Sequence, residues 1–192
     1  MSRLDLIVGP NGAGKSTFVE MVLADTRPGV PFVNADLIAA ERWPNDPIAH
    51  GHEAAALAEQ ARNDLIARGE EFVAETVASH PSKVDLVRNA RLAGYHVHVI
   101  ALLVPEEMSV RRVAARVEEG GHDVPEDKVR ARYQRLWANV VEMIRLADTA
   151  EVFDNSGTGP ATVATFVGGE VIGSPQWPAF VPAALVDQWP GG

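Results

Sequence analysis

The sequence contains no cysteine and no long apolar run. Without cysteine, disulfide bonds, thiolate zinc sites and thiol catalysis are excluded, which agrees with a reducing cytosol. The longest apolar stretches have the length of a β-strand, and the opening residues lack the apolar core of a secretory signal. We therefore expect a soluble, cytoplasmic protein with no membrane segment, and its 192 residues fit a single domain over 1–192.

Positive charge is also scarce, with 17 Lys and Arg against 26 Asp and Glu and a net charge of −9. This balance argues against binding nucleic acid through its phosphates. Eight of the seventeen basic residues nevertheless lie between 111 and 145, together with only six acids. That local excess favours either a small anionic ligand, such as phosphate, or a solvated helix face.

A complete phosphate-binding loop follows directly after the apolar run 4–8. Its glycines let backbone amides point at phosphate oxygens, Lys15 reaches the β- and γ-phosphates, and the Ser16 hydroxyl is a ligand for Mg²⁺. The pattern predicts a nucleoside triphosphate with Mg²⁺ as the metal at Ser16. The residues assigned to the nucleotide are Gly9, Pro10, Asn11, Gly12, Ala13, Gly14, Lys15, Ser16 and Thr17.

The signatures of the larger classes of phosphate-loop proteins are missing. The chain has neither the Asn-Lys-x-Asp motif of switch GTPases nor the Leu-Ser-Gly-Gly-Gln motif of transporter ATPases. Motors and ring ATPases place acids directly at the end of a long apolar strand, whereas here Pro105 separates the run 100–104 from Glu106 and Glu107. Those two acids are better explained as the first turn of a helix, which its dipole favours. Elimination leaves a small kinase.

Short apolar runs alternate with helical patterns, which is typical of an α/β fold with a parallel sheet and crossover helices. We predict a nucleotide-kinase-like three-layer sandwich with a mainly parallel five-stranded sheet. The predicted strands are 4–8, 31–34, 71–75, 97–104 and 151–154, and the predicted helices are 15–23, 46–68, 82–94 and two more that begin after Pro105 and Pro125. Residues 157–192 are expected to form a small hairpin, at 162–167 and 170–172, and a tail that is either packed or mobile.

Two acidic side chains lie at the sheet edge where ligands bind in this architecture: Asp36 follows the second predicted strand, and Glu75 ends the third. Asp36 is a candidate base for an acceptor hydroxyl, and the alternative is that it caps a short helix over 36–42. Glu75, which Thr76 follows, is a candidate for binding the acceptor or a metal-bound water. The alternative for Glu75 is an ion pair with a neighbouring arginine.

Cations for the transferring phosphoryl group are expected from the two helices on either side of the segment 120–125. We interpret this helix pair, about 106–146, as a lid that closes over the phosphates. His122, in the turn between the helices, either contacts the acceptor or stabilises the turn.

Taken in order, these residues resemble the zeta-toxin family of kinases in a compact form. The resemblance covers about residues 4–156 and is carried by Gly-Pro-Asn-Gly-Ala-Gly-Lys-Ser-Thr at 9–17, Asn34-Ala-Asp-Leu-Ile-Ala, Glu75-Thr76, the segment 116–125 with Arg132-Tyr133, and Phe153-Asp-Asn-Ser156. It implies that ATP, with Mg²⁺, phosphorylates a hydroxyl of a small molecule. Family members phosphorylate UDP-N-acetylglucosamine and are held inactive by an antitoxin, so a nucleotide sugar and an antitoxin protein are the implied partners.

The resemblance also implies roles for single residues. The implied catalytic residues are Asp36, Lys15, Arg116 and Arg132, and the implied acceptor contacts are Asn34, Glu75, Thr76 and His122. Arg130 and Arg135 stay open as alternatives for the second lid arginine. The chain is shorter than the larger toxins, and Val77 stands where a second hydroxyl residue is frequent, so part of their substrate surface has no counterpart here.

Two other functions stay open from the sequence. One is a regulatory or interaction module that binds ATP and hydrolyses it slowly without any acceptor. The other is a metabolite, antibiotic or nucleoside monophosphate kinase that shares only the fold.

Overall fold

A computed structural model describes residues 1–118 and 124–191, which form a seven-stranded sheet with helices on both faces. The strands are β1 (Arg3–Val8), β2 (Phe32–Val33), β3 (Phe72–Thr76), β4 (His96–Leu103), β5 (Thr149–Asp154), β6 (Ala161–Val167) and β7 (Glu170–Val171). Their order across the sheet is β2-β3-β1-β4-β5-β6-β7. The first five strands pair in parallel, and β6 and β7 are antiparallel.

Within residues 1–118 and 124–191, seven helices connect or follow these strands. They are α1 (Lys15–Phe18), which continues into a π-helical turn (Val19–Leu23), α2 (Ala35–Arg42), α3 (Gly51–Arg68), α4 (Ser82–Leu92), α5 (Glu106–Glu118), α6 (Glu126–Leu146) and α7 (Ala183–Gln188). The alternation of parallel strands and helices confirms the predicted α/β kinase-like fold. No helix within the described residues is long and apolar enough to cross a membrane.

The predicted count of five strands is wrong, because the C-terminal hairpin extends the sheet instead of standing apart. β6 pairs with the free edge of β5 over Thr149–Asp154, and β7 then pairs with β6. An uncovered β5 edge would leave a row of backbone groups without partners, which β6 supplies. The inward side chains Ala164 and Phe166 are buried at the same time, so the hairpin adds to the core.

The segment before α3 also differs from the prediction. The sequence places a helix start at Asp46-Pro47, whereas α3 begins at Gly51. The Asp46 carboxylate accepts a hydrogen bond from the Ala49 amide at 3.2 Å, so it closes a local turn instead of capping the helix.

The two faces of the sheet carry separate apolar cores. The larger core lies under α3, α4, α6 and α7 and includes Phe72, Tyr95 and Leu136. The smaller core lies under α1 and its π-helical turn and includes Ile7 and Phe18. Strands that are buried on both faces are near-continuously apolar, as in β4 (His96–Leu103), and this is why the sequence shows them clearly.

The C-terminal tail is packed. Trp189 is only 5% exposed, and its ring meets Phe166 of β6 with centroids 4.7 Å apart. Its indole nitrogen donates to the Gly169 carbonyl at 3.2 Å, and its own carbonyl accepts from the Trp177 indole at 2.8 Å. These contacts fix the tail against the sheet edge formed by the hairpin.

Candidate active site

The phosphate loop leaves β1 at the carboxyl edge of the sheet and ends at α1. Gly9 has φ +154°, and a Cβ built there would lie 2.8 Å from the Leu102 carbonyl oxygen of β4. Gly14 has φ +84° at the N-cap of α1, and its Cβ would lie 2.8 Å from the Asn155 side-chain nitrogen. Both positions therefore require glycine for backbone conformation and for space.

Three side chains from outside the loop hold its backbone carbonyls. Ser109 of α5 donates its hydroxyl to the Asn11 carbonyl, and Arg112 donates to the Gly12 carbonyl at 3.3 Å. Asn155, just after β5, donates its side-chain amide to the Ala13 carbonyl at 2.7 Å, and the backbone carbonyl of Asn155 accepts from Arg112 at 3.1 Å. With these carbonyls held by side chains from outside the loop, its backbone is braced for amides to point at phosphate, although the Ala13 amide donates to the Pro10 carbonyl at 3.2 Å.

Lys15 is a buried cation at the centre of the site, only 7% exposed. Its ammonium donates to the Pro10 carbonyl at 2.9 Å and lies 3.8 Å from the Glu75 carboxylate. Burial lowers the pKa of Lys15, and the charges of Glu75 and Asp36 oppose that shift.

The two arginines predicted for the lid act on the same ammonium. The positive charges of Arg116 and Arg132 add to the lowering of the Lys15 pKa. The structure therefore brings together, around Lys15, the four ionisable side chains that the sequence singled out for phosphoryl transfer. A cluster of three cations and two carboxylates at a phosphate loop is suited to a polyphosphate anion.

Glu75, near the end of β3, joins the phosphate loop to Asn34, which follows β2. One of its carboxylate oxygens accepts from the Ser16 hydroxyl at 2.8 Å and from the Asn34 amide at 2.7 Å. The parallel register, which sets Ile7 opposite Glu75, carries the carboxylate to the mouth of the loop. The side chain of Glu75 contacts Lys15, Ser16 and Asn34 among the described residues.

Asn34, and not Asp36, caps the helix after β2. The Asn34 side-chain oxygen accepts from the backbone amides of Asp36 at 2.7 Å and of Leu37 at 3.2 Å. Asp36 is therefore the second residue of α2, exposed, with a carboxylate that is not used for capping. The capping alternative for Asp36 is wrong, since an asparagine two residues earlier already fills that position.

The loop after β3 is held in an unusual conformation. Ala78 has φ +61°, and its amide donates to the Thr76 hydroxyl at 3.3 Å, so this hydroxyl still has its proton to donate. The Ala78 carbonyl accepts from the Asn139 amide of α6 at 2.8 Å. A bond across 61 residues thus keeps the segment beside Glu75 and Thr76 in a strained backbone region.

The three arginines that the sequence could not distinguish lie in different surroundings. Arg130 donates to Glu106, Glu107 and Glu126 and ties α6 to the start of α5. Arg135 is exposed, one turn further along α6. Arg132 is half-buried, its charge acts on Lys15, and the next residue, Tyr133, anchors α6 by donating to the Val104 carbonyl at 2.9 Å. Of these three arginines, Arg132 is the one whose charge acts on Lys15.

Beside the loop lies an open groove with a volume of about 310 Å³. It is lined by Gly12, Gly14, Thr17, Arg112, Asn155, Gly157, Thr158 and Gly159. His122, a candidate acceptor contact, falls outside the described residues.

Sequence reasoning missed three residues that shape the site: Ser109, Arg112 and Asn139. Each contacts a backbone carbonyl at least 61 residues away, and no local pattern marks such a pair. Arg112 was visible only as one member of the basic segment 111–145.

Solved structures share this fold. A chain of the AvrRxo1-ORF1:ORF2 complex solved with ATP is 19% identical, with a TM-score of 0.70 over 90% of this chain and 60% of that chain. A chain of the PezAT chromosomal toxin-antitoxin system of Streptococcus pneumoniae is 13% identical, with a TM-score of 0.62 over 86% of this chain and 71% of that chain. The present chain thus spans 60% of the length of the AvrRxo1 chain that it matches.

Sequence relatives give the family. An uncharacterised protein of Haemophilus influenzae is 31% identical over 131 residues, which is 65% of this chain and 88% of the relative. The family model described as Zeta toxin matches residues 3–159, which include the phosphate loop, Asp36, Glu75, Arg116 and Arg132. With this match over most of its length and a kinase-like fold, the chain belongs to the zeta toxin family of P-loop phosphotransferases.

Proposed function

We propose that this protein is an ATP- and Mg²⁺-dependent kinase that transfers the γ-phosphoryl group to a hydroxyl of a small molecule. The observation that carries the proposal is the position of Glu75. Its carboxylate contacts Lys15 and Ser16 of the phosphate loop and also Asn34, which caps the helix bearing Asp36. A donor site and a candidate acceptor site therefore meet at one carboxylate, as phosphoryl transfer requires.

On the donor side, the loop amides and Lys15 hold the triphosphate. The 310 Å³ groove beside the loop takes the rest of the nucleotide, with Arg112 and Asn155 on its wall. The Ser16 hydroxyl and the Glu75 carboxylate, 2.8 Å apart, are the hard oxygen donors that Mg²⁺ prefers. When bound, the metal would offset the phosphate charge, with Ser16 as its ligand from the chain.

On the acceptor side, Asp36 takes the proton of the attacking hydroxyl. A bond forms between the acceptor oxygen and the γ-phosphorus, the bond from that phosphorus to the bridging oxygen breaks, and the leaving charge stays on the β-phosphate. Glu75, Thr76 and Asn34 orient the acceptor, and His122 is a further proposed contact. Arg116 and Arg132 stabilise the phosphoryl group in transit.

A UDP-amino sugar is the acceptor that family membership favours, and an antitoxin protein is the partner that would go with a toxin role. PezAT is described as a toxin-antitoxin system, and its matched chain shares the fold of this protein.

The central experiment measures ATP consumption and product mass against UDP-sugars, nucleosides, sugars and aminoglycosides, with Lys15→Ala as the inactive control. We expect one class to give a product 80 Da heavier, the mass of an added phosphoryl group in place of a proton. Slow ATP hydrolysis that no hydroxyl compound changes would instead favour a regulatory ATP-binding module. A nucleoside monophosphate is added to the panel, and its phosphorylation on the phosphate would favour a nucleoside monophosphate kinase that shares only the fold.

The base is tested by Asp36→Asn, with Asp64→Asn on the exposed side of α3 as the matched control. We expect Asp36→Asn to bind ATP normally and to lose phosphoryl transfer, because the amide cannot take the proton, whereas Asp64→Asn keeps both. Normal product formation by Asp36→Asn would remove Asp36 from the mechanism.

The lid is tested by Arg116→Ala and Arg132→Ala, with Arg135→Ala as the control on the same helix as Arg132. Phosphate-clamping arginines are worth about 10³ to 10⁵ in rate, so kcat should fall strongly while the Kd for ATP changes little. If Arg135→Ala lost turnover and Arg132→Ala kept it, the assignment of the second lid arginine would be wrong.

A further inference from the structure

Arg62 occupies a core position of α3. The buried residues of this helix are Ala54, Ala58, Arg62 and Leu65, which recur on one face. Arg62 is only 5% exposed, although every other member of this stripe is apolar. A charged side chain at such a position is costly unless it is paired.

Within residues 1–118 and 124–191, the Arg62 guanidinium forms neither a hydrogen bond nor an ion pair within 4.0 Å. The charge of Glu59, one turn earlier on α3, acts on it from a longer distance. Glu59 instead lies 3.9 Å from the ammonium of Lys83 on α4, whose side chain is 22% exposed. One carboxylate thus faces two cations.

The N-terminal end of α3 lies at the ligand edge of the sheet, and the Arg62 side chain leans toward that edge. Gly69, just after α3, accepts from the Ser2 hydroxyl beside the start of β1, so the C-terminal end of α3 lies at the opposite edge. Long helical side chains lean toward the N-terminus of their helix, which here is the ligand edge. Lys83 is the second residue of α4, which begins after the loop that follows Glu75 and Thr76 of β3.

The electrostatic balance calls for an anion at this place. Burial lowers the pKa of Arg62 from its ordinary value. Burial also lowers the pKa of Lys83, and the nearby charge of Arg62 lowers it further. Two desolvated cations with one shared acid carry a net positive charge, and a bound anion would offset it.

We propose that Arg62 and Lys83 form an anion site on the acceptor side, which binds a phosphate group of the acceptor. This inference rests on the proposed kinase function, because it gives the acceptor a phosphate in addition to the hydroxyl that is phosphorylated. The planar guanidinium suits two oxygens of a phosphate, and the ammonium adds a point charge. Glu59 holds Lys83 toward the site and leaves Arg62 as the cation that the ligand pairs.

The test uses inorganic phosphate as the probe in a Lys15→Ala background, which weakens phosphate binding at the loop. Thermal unfolding is followed with and without phosphate, at equal ionic strength set with chloride. At about ten times the Kd, phosphate should raise the Tm of Lys15→Ala by about 3 °C. Adding Arg62→Met should abolish this shift, while Arg68→Met, an exposed arginine of the same helix, should leave it intact.

Lys83→Met provides a second variant that does not depend on a buried position. It should weaken phosphate binding by about tenfold, the order of one charge-assisted contact. The site is overturned if Lys15→Ala shows no Tm shift with phosphate, or if the shift survives both Arg62→Met and Lys83→Met. Failure of the kinase proposal is a separate result, since it appears as ATP hydrolysis without any acceptor whether or not phosphate binds here.

Discussion

Asn34 links the candidate acceptor helix to Glu75, and its two roles can be separated by substitution. The side-chain oxygen caps α2, and the side-chain amide donates to Glu75 at 2.7 Å. Serine keeps an oxygen for the cap but has no amide for Glu75, whereas alanine loses both. Asn34→Ser therefore removes only the bond to Glu75, and Asn34→Ala removes both that bond and the cap. The substituted residue is only 5% exposed.

The expected losses follow from the kind of contact. A hydrogen bond to a charged group contributes about 1.5–3 kcal/mol, so Asn34→Ser should destabilise the fold by about that amount. Loss of the N-cap costs about 1 kcal/mol more in Asn34→Ala. Asn63→Ser, on the exposed face of α3, is the control and should change stability by less than about 0.5 kcal/mol.

Urea unfolding followed by tryptophan fluorescence and far-UV circular dichroism gives these free energies. A double-mutant cycle with Glu75→Gln then isolates the contact, because Asn34→Ser should cost less once the carboxylate is an amide. Equal stability of the serine and alanine variants would refute the cap. A coupling energy below about 0.5 kcal/mol would refute the contribution of the bond to Glu75.

Three further predictions concern other parts of the molecule. Burial raises the pKa of Tyr95 and raises that of Tyr133 to about 12, so tyrosinate absorbance at 295 nm should be absent near pH 10 while the circular dichroism is native. Because both pKa values are higher in the folded than in the unfolded chain, the free energy of unfolding keeps its full value below pH 10 and falls as the pH rises through the folded pKa. Asn155→Ala frees the Ala13 carbonyl and should weaken ATP binding about tenfold by calorimetry, and unchanged affinity would argue against a loop-bracing role. Trp189→Ala should lower the free energy of unfolding by about 3–5 kcal/mol, and a loss below about 1 kcal/mol would mean that the tail is dispensable.

The parallel core could be predicted because its strands are buried on both faces. β1 and β4 appear as continuous apolar runs, and each was placed within one residue of its observed bounds. The hairpin of β6 and β7 was recognised, but its attachment to β5 was not, since strand pairing depends on the whole sheet and not on local sequence.

The site residues likewise divide into those that local sequence marks and those that only the folded structure brings together. Lys15 and Ser16 were predicted from the phosphate-loop motif, and Asp36 and Glu75 from the rule that ligands bind at the carboxyl edge of a parallel sheet. The cap at Asn34 was missed because two polar residues compete for one position, and only the backbone geometry decides between them. Ser109, Arg112 and Asn139 act through contacts between distant segments, for which a single sequence has no signal.

The shared carboxylate of Glu75 has a consequence for substrate binding as a whole. A nucleotide complex that recruits the Ser16 hydroxyl alters the hydrogen bonds of Glu75, and an acceptor that engages Glu75 alters the partner of Ser16. The affinities for the two substrates are then thermodynamically linked, and linkage is reciprocal. For the proposed kinase, the factor by which acceptor changes the Kd for ATP must equal the factor by which ATP changes the Kd for acceptor, so occupation of one half of the site is felt by the other before any bond is broken.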